Sequence, residues 1–252
     1  MELIIKIAGL LPLSDLYALY FTSSNTRDHL EVYFDVTHYW SDLTIANEVV
    51  SEGLQDFVKG YCERVTRFTF MGGSQMSILS KNSFTEFMSN FTNVTELNLN
   101  GNRYVRKMFF VYAMPNLRCL DISGCVNVDD ITISVCLPRL KFLKKLVMRN
   151  LPQARAMTYI RMCTIPNMPA LEYLDGRGSG TLCWHSVRFV LWGCPRLLYL
   201  DFDPTWLREL SDWAKIPTRF PTVTFGNNVI SFFPEHIQFL FKAKSDESEE
   251  EE

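Results

Sequence analysis

Two nine-residue stretches decide the fold: residues 94–102 read VTELNLNGN, and residues 117–125 read LRCLDISGC. Each has an apolar residue at its first, fourth and sixth positions and closes with Asn or Cys. Because successive side chains of a strand point to opposite sides, Leu97 and Leu99 are predicted to face inward together. Each stretch is therefore predicted to form a short strand with one buried side.

The same spacing recurs along most of the chain. Further copies begin at residues 65, 143, 171, 197 and 220, so that successive copies start 29, 23, 26, 28, 26 and 23 residues apart. These intervals fall within the period of roughly 20 to 29 residues that is typical of leucine-rich repeats. The residue three places before each copy is apolar in six of the seven, which is an independent sign of a repeat.

We therefore predict an α/β fold, a leucine-rich-repeat solenoid with a curved parallel sheet of about seven strands. One repeat cannot bury its own apolar side, so stacked neighbours supply a continuous core. Helices are predicted between the strands, and the last of them would cap the solenoid. Their predicted ranges are 83–90, 103–113, 129–136, 152–163, 181–193, 205–215 and 234–243.

The composition excludes several classes of protein. Of 252 residues, 47% are hydrophobic and 21% are charged, which excludes a wholly disordered or low-complexity chain. Six of the acidic residues lie in the last eight positions, so the remainder carries 25 basic and 22 acidic residues. Because this body is nearly neutral and its basic residues are dispersed, we expect no nucleic-acid partner.

The cysteines and the N-terminal sequence bear on the compartment. Seven cysteines occur singly, with no Cys-x-x-Cys pair, and are expected to be reduced thiols. The N-terminal apolar stretch is interrupted by Lys6, Pro12 and Asp15, so neither a signal peptide nor a membrane span is expected. We expect a cytoplasmic or nuclear protein with no membrane association.

Two features resemble a known family. Cys194-Pro195-Arg196-Leu197, and the Cys125 that closes LDISGC, are similar to the cysteine-containing repeats of the F-box/leucine-rich-repeat family. Residues 2–20, ELIIKIAGLLPLSDLYALY, resemble an F-box, which has a first helix, a Leu-Pro-Leu-x-Asp-Leu turn and a second helix. From the residues themselves, Pro12 is predicted to end one helix and Ser14 to cap the next.

The resemblance implies a function and a division of the chain. It implies the substrate-recognition subunit of an SCF-type ubiquitin ligase, which binds the Skp adaptor of a cullin complex through its N-terminal helices and a target protein through the repeats. The adaptor-binding residues carried over by position are Leu10, Leu11, Pro12, Leu13 and Leu16. The predicted parts are an F-box-like segment at 1–30, a linker region at 31–56, the capped solenoid at 57–244 and a disordered acidic tail at 245–252.

Two other functions stay open at this stage. The first is a non-ligase interaction scaffold, in which the N-terminal helices only cap the solenoid. The second is an acidic-tailed regulator that binds basic proteins. Identification of co-purifying partners distinguishes them, because a ligase receptor alone should bring down both the Skp adaptor and a cullin.

No catalytic or metal motif is found. The Gly-rich loop at 175–180 lacks the third Gly of a dinucleotide fingerprint and the lysine of a phosphate loop. Cys183 and His185 are two residues apart without further ligands nearby in the sequence, and zinc needs about four. We therefore expect neither enzymatic activity nor a cofactor.

The alternation of side chains along the strands instead predicts a binding surface on the C-terminal repeats. Tyr173 and Tyr199 are predicted to be neighbours on adjacent strands, with carboxylates beside them. Tyrosines next to charged residues are typical of protein-binding hot spots, and the carboxylates would favour a basic or amphipathic target segment. The predicted target-binding residues are Tyr173, Asp175, Arg177, Tyr199, Asp201 and Asp203.

Overall fold

The structure is a computed structural model that describes most of the chain. The described residues are 8, 10–46, 49–72, 75–76, 81–154, 158–159, 161, 168–179, 189–191, 193–201, 222–225 and 228–231. The chain forms two compact units, Met1–Val128 and Asp129–Glu252, which we call the N-terminal unit and the C-terminal unit. Each is described by itself.

The strands of the N-terminal unit are short and parallel. In the described part, four strands pair in chain order: β1 (Asp42–Ile45), β3 (Arg67–Phe70), β5 (Glu96–Asn98) and β6 (Cys119–Asp121). Two further strands, β2 (Val49–Val50) and β4 (Gln75–Met76), pair in parallel with each other. The strands β3, β5 and β6 lie at the first three copies of the repeat, as predicted.

The repeat pattern also identifies the core. Leu97 and Leu99 are both buried, and so are Leu120 and Ile122 in the next copy. The apolar residues three places before the copies are buried as well; in the first two repeats the ring of Phe91 stacks on that of Phe68 at 4.4 Å between centroids. The prediction of which side chains face inward is confirmed.

The strand β1 precedes the first copy of the repeat. It lies in the region 31–56, for which the sequence predicted a linker, and pairs along its whole length with β3. Its residues alternate between exposed and buried, with Leu43 and Ile45 in the core. The repeat search missed β1 because the surrounding sequence lacks the leucine spacing, although the alternation within Asp42–Ile45 is a strand signal.

Four helices of the N-terminal unit are described: α1 (Leu13–Tyr20), α2 (Ser24–Thr37), α3 (Glu52–Lys59) and α4 (Lys81–Met88). Ser23 caps α2 by accepting a hydrogen bond from the Thr26 amide at 3.1 Å, and Ser51 caps α3 by accepting one from the Leu54 amide at 3.2 Å. The prediction that Ser14 caps the helix after Pro12 was wrong. The helix begins at Leu13 without a side-chain cap, because Pro12 itself takes the preceding position.

The helix predicted at 103–113 is also shorter than expected. Only Phe109–Ala113 is helical there, as a 3-10 helix, and the residues before it form an irregular connection. Phe110 and Val111 supply the buried contacts. One tight turn is sufficient to bury these side chains, and the ring of Phe110 packs against Phe84 of α4 with 6.0 Å between the centroids.

Glycines let the loops that follow successive strands approach closely. Gly101 has a φ of +71°, in the region that L side chains rarely adopt, and Gly72 packs directly on its backbone. A Cβ at Gly72 would overlap the Gly101 carbonyl. The amide of Gly72 donates a hydrogen bond to the Asn100 carbonyl at 3.0 Å, which joins the two loops.

The C-terminal unit continues the same repeat. Its described elements are α5 (Asp130–Cys136), β7 (Lys145–Val147), β8 (Tyr173–Asp175), β9 (Tyr199–Asp201), β10 (Thr222–Phe225) and β11 (Asn228–Ser231). Strands β7, β8, β9 and β10 are parallel neighbours in that order, so all seven predicted repeat strands are present. Asp129 caps α5 by accepting a hydrogen bond from the Ile131 amide at 2.8 Å.

The end of this sheet differs from the sequence alignment. Thr224 lies opposite Tyr199, whereas the repeat register predicted Thr222 at that place. Strand β11 then returns antiparallel to β10. The pair Gly226-Asn227 between two apolar runs is a signal for such a hairpin, which the search for repeats did not use. The predicted helices 205–215 and 234–243 and the acidic tail lie outside the described residues.

Candidate functional site

Two tyrosines stand side by side on the C-terminal unit. Tyr173 of β8 and Tyr199 of β9 are direct partners in the parallel ladder, and their rings stack with centroids 4.2 Å apart and planes 2° apart. On the other side of β8, Lys145 of β7 is the ladder partner of Tyr173, and its Nζ lies 5.3 Å from the centre of the Tyr173 ring. The sequence prediction that the tyrosines are neighbours is confirmed.

A buried carboxylate lies next to the tyrosine pair. The Asp175 side chain is fully buried and binds two arginines. Arg149 donates to its Oδ2 from Nε at 2.7 Å and from Nη2, and Arg177 donates to Oδ1 from Nε at 3.1 Å and to Oδ2 from Nη2 at 2.9 Å. Charge-assisted bonds of this kind compensate for the cost of removing the carboxylate from water.

Arg177 also links the two carboxylates of the site. Its Nε lies 3.2 Å from Oδ2 of Asp201, a residue that is almost fully buried. Each carboxylate accepts a bond from the tyrosine of its own strand, from Tyr199 to Asp201 at 2.9 Å and from Tyr173 to Asp175 at 3.4 Å. We call the set Arg149, Tyr173, Asp175, Arg177, Tyr199 and Asp201 the tyrosine–arginine cluster.

The surroundings shift the pKa of both carboxyls, in opposite directions. Burial alone would raise the pKa of Asp175, but hydrogen bonds from Arg177 and Arg149 outweigh this effect and lower it. Burial raises the pKa of Asp201, against the opposing hydrogen bond from Tyr199 and the charge of Arg177. Asp175 is therefore the carboxylate that is most firmly ionised.

The loops after β7 and β8 hold the cluster in place. Buried Ser179 accepts a hydrogen bond from the Leu151 amide at 2.9 Å and donates one to the Met148 carbonyl. The amide of Asn150 donates to the Arg177 carbonyl at 2.8 Å. Because both loops are fixed by buried hydrogen bonds, the two arginines extend from a rigid base.

The predicted character of this surface requires a correction. Asp175 and Asp201 were expected to face solvent and attract a basic segment, whereas both are buried and bound to arginine. The exposed parts of the cluster are the tyrosine rings in part and the guanidinium groups. Strand alternation placed these residues on the correct side of the sheet, but it did not reveal that arginines cover the carboxylates. Asp203 lies outside the described residues.

Arg149 was not among the predicted target-binding residues. Its side chain nevertheless makes two of the bonds to Asp175. A signal was present, because Arg149 and Arg177 occupy the same position of consecutive repeats, two residues after the last residue of each strand. Equivalent arginines around one aspartate indicate an ion-pair network.

The predicted adaptor-binding residues lie in different environments. The side chain of Leu10 is 85% exposed, Leu11 is half-buried and Pro12 is exposed. Leu13 and Leu16 instead lie in the core of the N-terminal unit, so this structure does not present them to a partner. Both are on the inner side of α1, three residues apart, where they pack against the rest of the unit.

Aromatic contacts fix α1 on the N-terminal unit. Phe57 of α3 lies 5.6 Å from Tyr17 and 4.9 Å from Tyr20, between ring centroids. The Tyr20 hydroxyl donates to Glu31 of α2 at 2.7 Å, and Tyr61 donates to the same carboxylate. The helix therefore packs along its length rather than standing as a separate module.

The described residues offer little else for catalysis or ligand chemistry. Among them, no three His, Cys, Asp or Glu side chains converge as a metal site would require, and no helix is long and apolar enough to cross a membrane. Burial raises the pKa of the Cys125 thiol to about 12, and its Sγ donates to the Leu99 carbonyl at 3.1 Å. This cysteine therefore has a structural place in the repeat.

The comparisons with known proteins add two similar structures. No family model matches the chain, and no curated protein matches it. A crystal structure of internalin C2 from Listeria monocytogenes is 16% identical over 73% of this chain and 80% of that one, with a TM-score of 0.39. The structure of the Rad7 and Elc1 complex from yeast is 11% identical over 80% and 86%, with a TM-score of 0.25. The leucine-rich-repeat fold of this chain is defined by the repeat strands described above.

Proposed function

We propose that this chain is a protein-interaction solenoid that binds a target protein at the tyrosine–arginine cluster. The observation that carries the proposal is the stacked pair of Tyr173 and Tyr199, whose hydroxyls are anchored on buried carboxylates. Tyrosine and arginine are the residues most enriched in binding hot spots. Because the anchored rings are already ordered, binding costs little side-chain entropy.

We propose further that the chain acts as the substrate receptor of an SCF-type ubiquitin ligase. This role rests on the resemblance of residues 2–20 to an F-box. Within that segment Leu10, Leu11 and Pro12 remain at the surface, so the Skp adaptor would bind there and not at Leu13 or Leu16. The chain would hold the target near the partner subunits that transfer ubiquitin.

One observation favours the second function, an interaction scaffold without a ligase partner. The inner side of α1 is buried against the helices of its own unit, as expected of a helix that belongs to an N-terminal cap. In this function the N-terminal helices protect the apolar core from water and recruit nothing. The two functions share the target-binding surface and differ only in the adaptor.

Crosslinking tests the target-binding surface. A photoreactive amino acid at position 145, next to the tyrosine pair, should capture a protein that the same amino acid at position 67 does not. Positions 145 and 67 are equivalent places on β7 and β3, which makes the second a matched control. Capture should be lost in the Tyr173→Ala/Tyr199→Ala variant and retained in Tyr173→Phe/Tyr199→Phe. Equal capture from both positions, or capture that survives loss of both rings, would contradict the proposal.

Reconstitution tests the adaptor. The purified chain is mixed with the Skp adaptor bound to a cullin, and co-elution is followed by size-exclusion chromatography. Leu10→Asp/Leu11→Asp should abolish co-elution, because the substitutions place charges in an apolar contact. Val36→Asp is the matched control, since Val36 is an exposed apolar residue on α2. Absence of co-elution with the unchanged chain supports the scaffold function.

A further inference from the structure

We infer that the segment bound at the tyrosine–arginine cluster is acidic, with carboxylate side chains on either side of an aromatic or apolar one. This inference rests on the proposed function and specifies the chemistry of the partner. It reverses the expectation from the sequence, which counted aspartates without regard to their burial.

The cationic end of every ion pair in the cluster is the exposed end. The side chains of Arg149 and Arg177 are 41% and 46% exposed, whereas those of Asp175 and Asp201 are 0% and 10% exposed. An arriving side chain therefore meets guanidinium groups, and the carboxylates lie behind them. Because Coulomb energy falls with distance, the nearer cations determine the sign of the interaction.

The charge balance of the neighbourhood is also positive. Lys145 is exposed beside the ring of Tyr173, which gives three cations with the two arginines, against two carboxylates. The neighbouring Lys144 and Glu172 form a separate pair, with 3.0 Å between Nζ and Oε1, and cancel each other. Among the described residues, the surface thus retains a net charge of about +1 by the same count, with its positive charges outermost.

A carboxylate of a partner can bind Arg177 without disturbing the existing bonds. Arg177 uses its Nε and Nη2 for Asp175 and Asp201, and a guanidinium carries five N–H donors. A basic partner would instead compete for carboxylates that are buried and already bound to arginine. The cluster therefore favours acidic over basic segments, and the adjacent rings give apolar contact.

The N-terminal unit lacks this bias at the equivalent place. Arg67 of β3 pairs with Asp42 of β1 at 2.7 Å, and both side chains are about half exposed, so neither sign of charge is outermost. The same position that carries Lys145 in the C-terminal unit thus carries a balanced pair. Arg67→Gln is a suitable control for Lys145→Gln, because each removes one positive charge from the same repeat position.

Three labelled decapeptides test the inference by fluorescence anisotropy with the full-length chain at low salt. They contain alternating tyrosine with glutamate, with glutamine or with lysine. The glutamate peptide should bind at least about tenfold more tightly than the glutamine peptide, and the lysine peptide should bind most weakly. Lys145→Gln should weaken binding of the glutamate peptide about threefold, and Arg177→Gln about tenfold, whereas Arg67→Gln should have no effect. Affinity should also fall as salt increases.

The outcomes separate this inference from the proposed function. Preference for the lysine peptide, with binding lost in Tyr173→Ala/Tyr199→Ala, would overturn the inference and leave the target-binding surface in place. Binding of the glutamate peptide that is insensitive to Lys145→Gln would place the acidic segment elsewhere and also overturn the inference. If Arg177→Gln does not fold, the exposed Lys145 alone decides the result. Loss of crosslinking from position 145 concerns the proposed function only.

Discussion

The two units use the same position of the repeat in different ways. In the N-terminal unit, the side chains of Asn98 and Asp121 end their strands by accepting hydrogen bonds from the amides two residues later, at 3.0 and 2.8 Å. In the C-terminal unit, Asp175 makes the same turn with the Arg177 amide at 3.3 Å, but it is buried and also binds two arginine side chains. The residue at the end of the strand therefore closes a turn in both units, and in the C-terminal unit Asp175 also binds arginine side chains.

An aspartate that recurs at the end of successive repeat strands, which we call an aspartate column, does not by itself mark a binding site. Where an Asn or Asp ends a strand, as at Asn98, Asp121 and Asp175, its side chain accepts a hydrogen bond from a backbone amide, and this local role explains its recurrence without any ligand. The distinguishing residues stand two places later, where Asn100 and Ser123 of the N-terminal unit correspond to Arg149 and Arg177 of the C-terminal unit. A functional surface is therefore identified by what surrounds the column rather than by the column itself.

Removal of both arginines should have a large effect on stability in the C-terminal unit, with no counterpart in the N-terminal unit. Arg149→Gln/Arg177→Gln leaves the buried Asp175 carboxylate without compensation, which should cost about 3 kcal/mol of unfolding free energy at pH 7. Urea denaturation measures the loss. Arg67→Gln, which breaks an exposed pair in the N-terminal unit, should cost less than about 0.5 kcal/mol. Equal costs would mean that the two networks are equivalent.

The core should behave alike in both units. Leu120→Ala and Leu174→Ala each remove a fully buried inward side chain, and each should cost roughly 2 to 5 kcal/mol. Asn98→Ala removes only a local turn contact and should cost about 1 kcal/mol or less. Denaturation midpoints compare the three variants. A near-neutral Leu120→Ala would show that the strand does not bury this side chain.

Lowering the pH should remove the contribution of the ionised Asp175 carboxylate to the unfolding free energy. The pKa of Asp175 is lowered in the folded chain, so its stabilising contribution is fully present above its ordinary value of 3.8 and is lost as pH falls through the lower folded value. The difference in unfolding free energy between the unchanged chain and Asp175→Asn should be constant from pH 7 to about 5 and shrink below about pH 4. In the variant Arg149→Gln/Arg177→Gln, the pH dependence of the unfolding free energy has the opposite sign, because burial then raises the pKa of Asp175. The unfolding free energy of that variant should increase as the pH falls from 7 to 5.

The smallest expected effect concerns the tyrosine hydroxyls. Tyr199→Phe keeps the stacked ring but removes the bond to Asp201, and should cost about 1 kcal/mol in unfolding free energy. The pKa of Asp201 is already raised by burial, and loss of a donor should raise it further. Titration of Asp201 by carbon-13 NMR measures this change directly. An unchanged titration would show that the hydroxyl does not bind the carboxylate.

Most of the fold could be predicted because leucine spacing records burial directly. Leu97, Leu146 and Leu200 are buried since each strand has one inner side, and that periodicity is visible in the sequence. The strand β1 was missed because its sequence lacks the leucine spacing, and the hairpin was missed because β11 returns antiparallel to β10 and is not a copy of the repeat. Tyr173 and Tyr199 were predicted correctly as neighbours for the same reason, whereas the register failed at Thr224 on the last repeat strand.

The chemistry of the site could not be predicted from that periodicity. Alternation says which side of a strand a residue faces, but a side chain at the surface of a sheet can still be covered by a longer neighbour. Asp175 is such a case, because arginines from the loops after two strands close over it. Likewise, the leucines of the F-box-like segment look equivalent in sequence, but Leu10 is exposed and Leu13 is not, since α1 packs on its own unit.

The close approach of Gly72 and Gly101 has a consequence for how the N-terminal repeats can diverge. No codon change at Gly72 can add a side chain without pushing the neighbouring loop away, so this edge can vary only when several residues change together. In the irregular connection before Phe109–Ala113, Arg106 and Lys107 are exposed, between the buried residues Val105 and Met108. New loops and peptide tags should therefore be accepted between Arg106 and Lys107 and rejected at the glycine edge, and a library built for altered recognition should place its insertions accordingly.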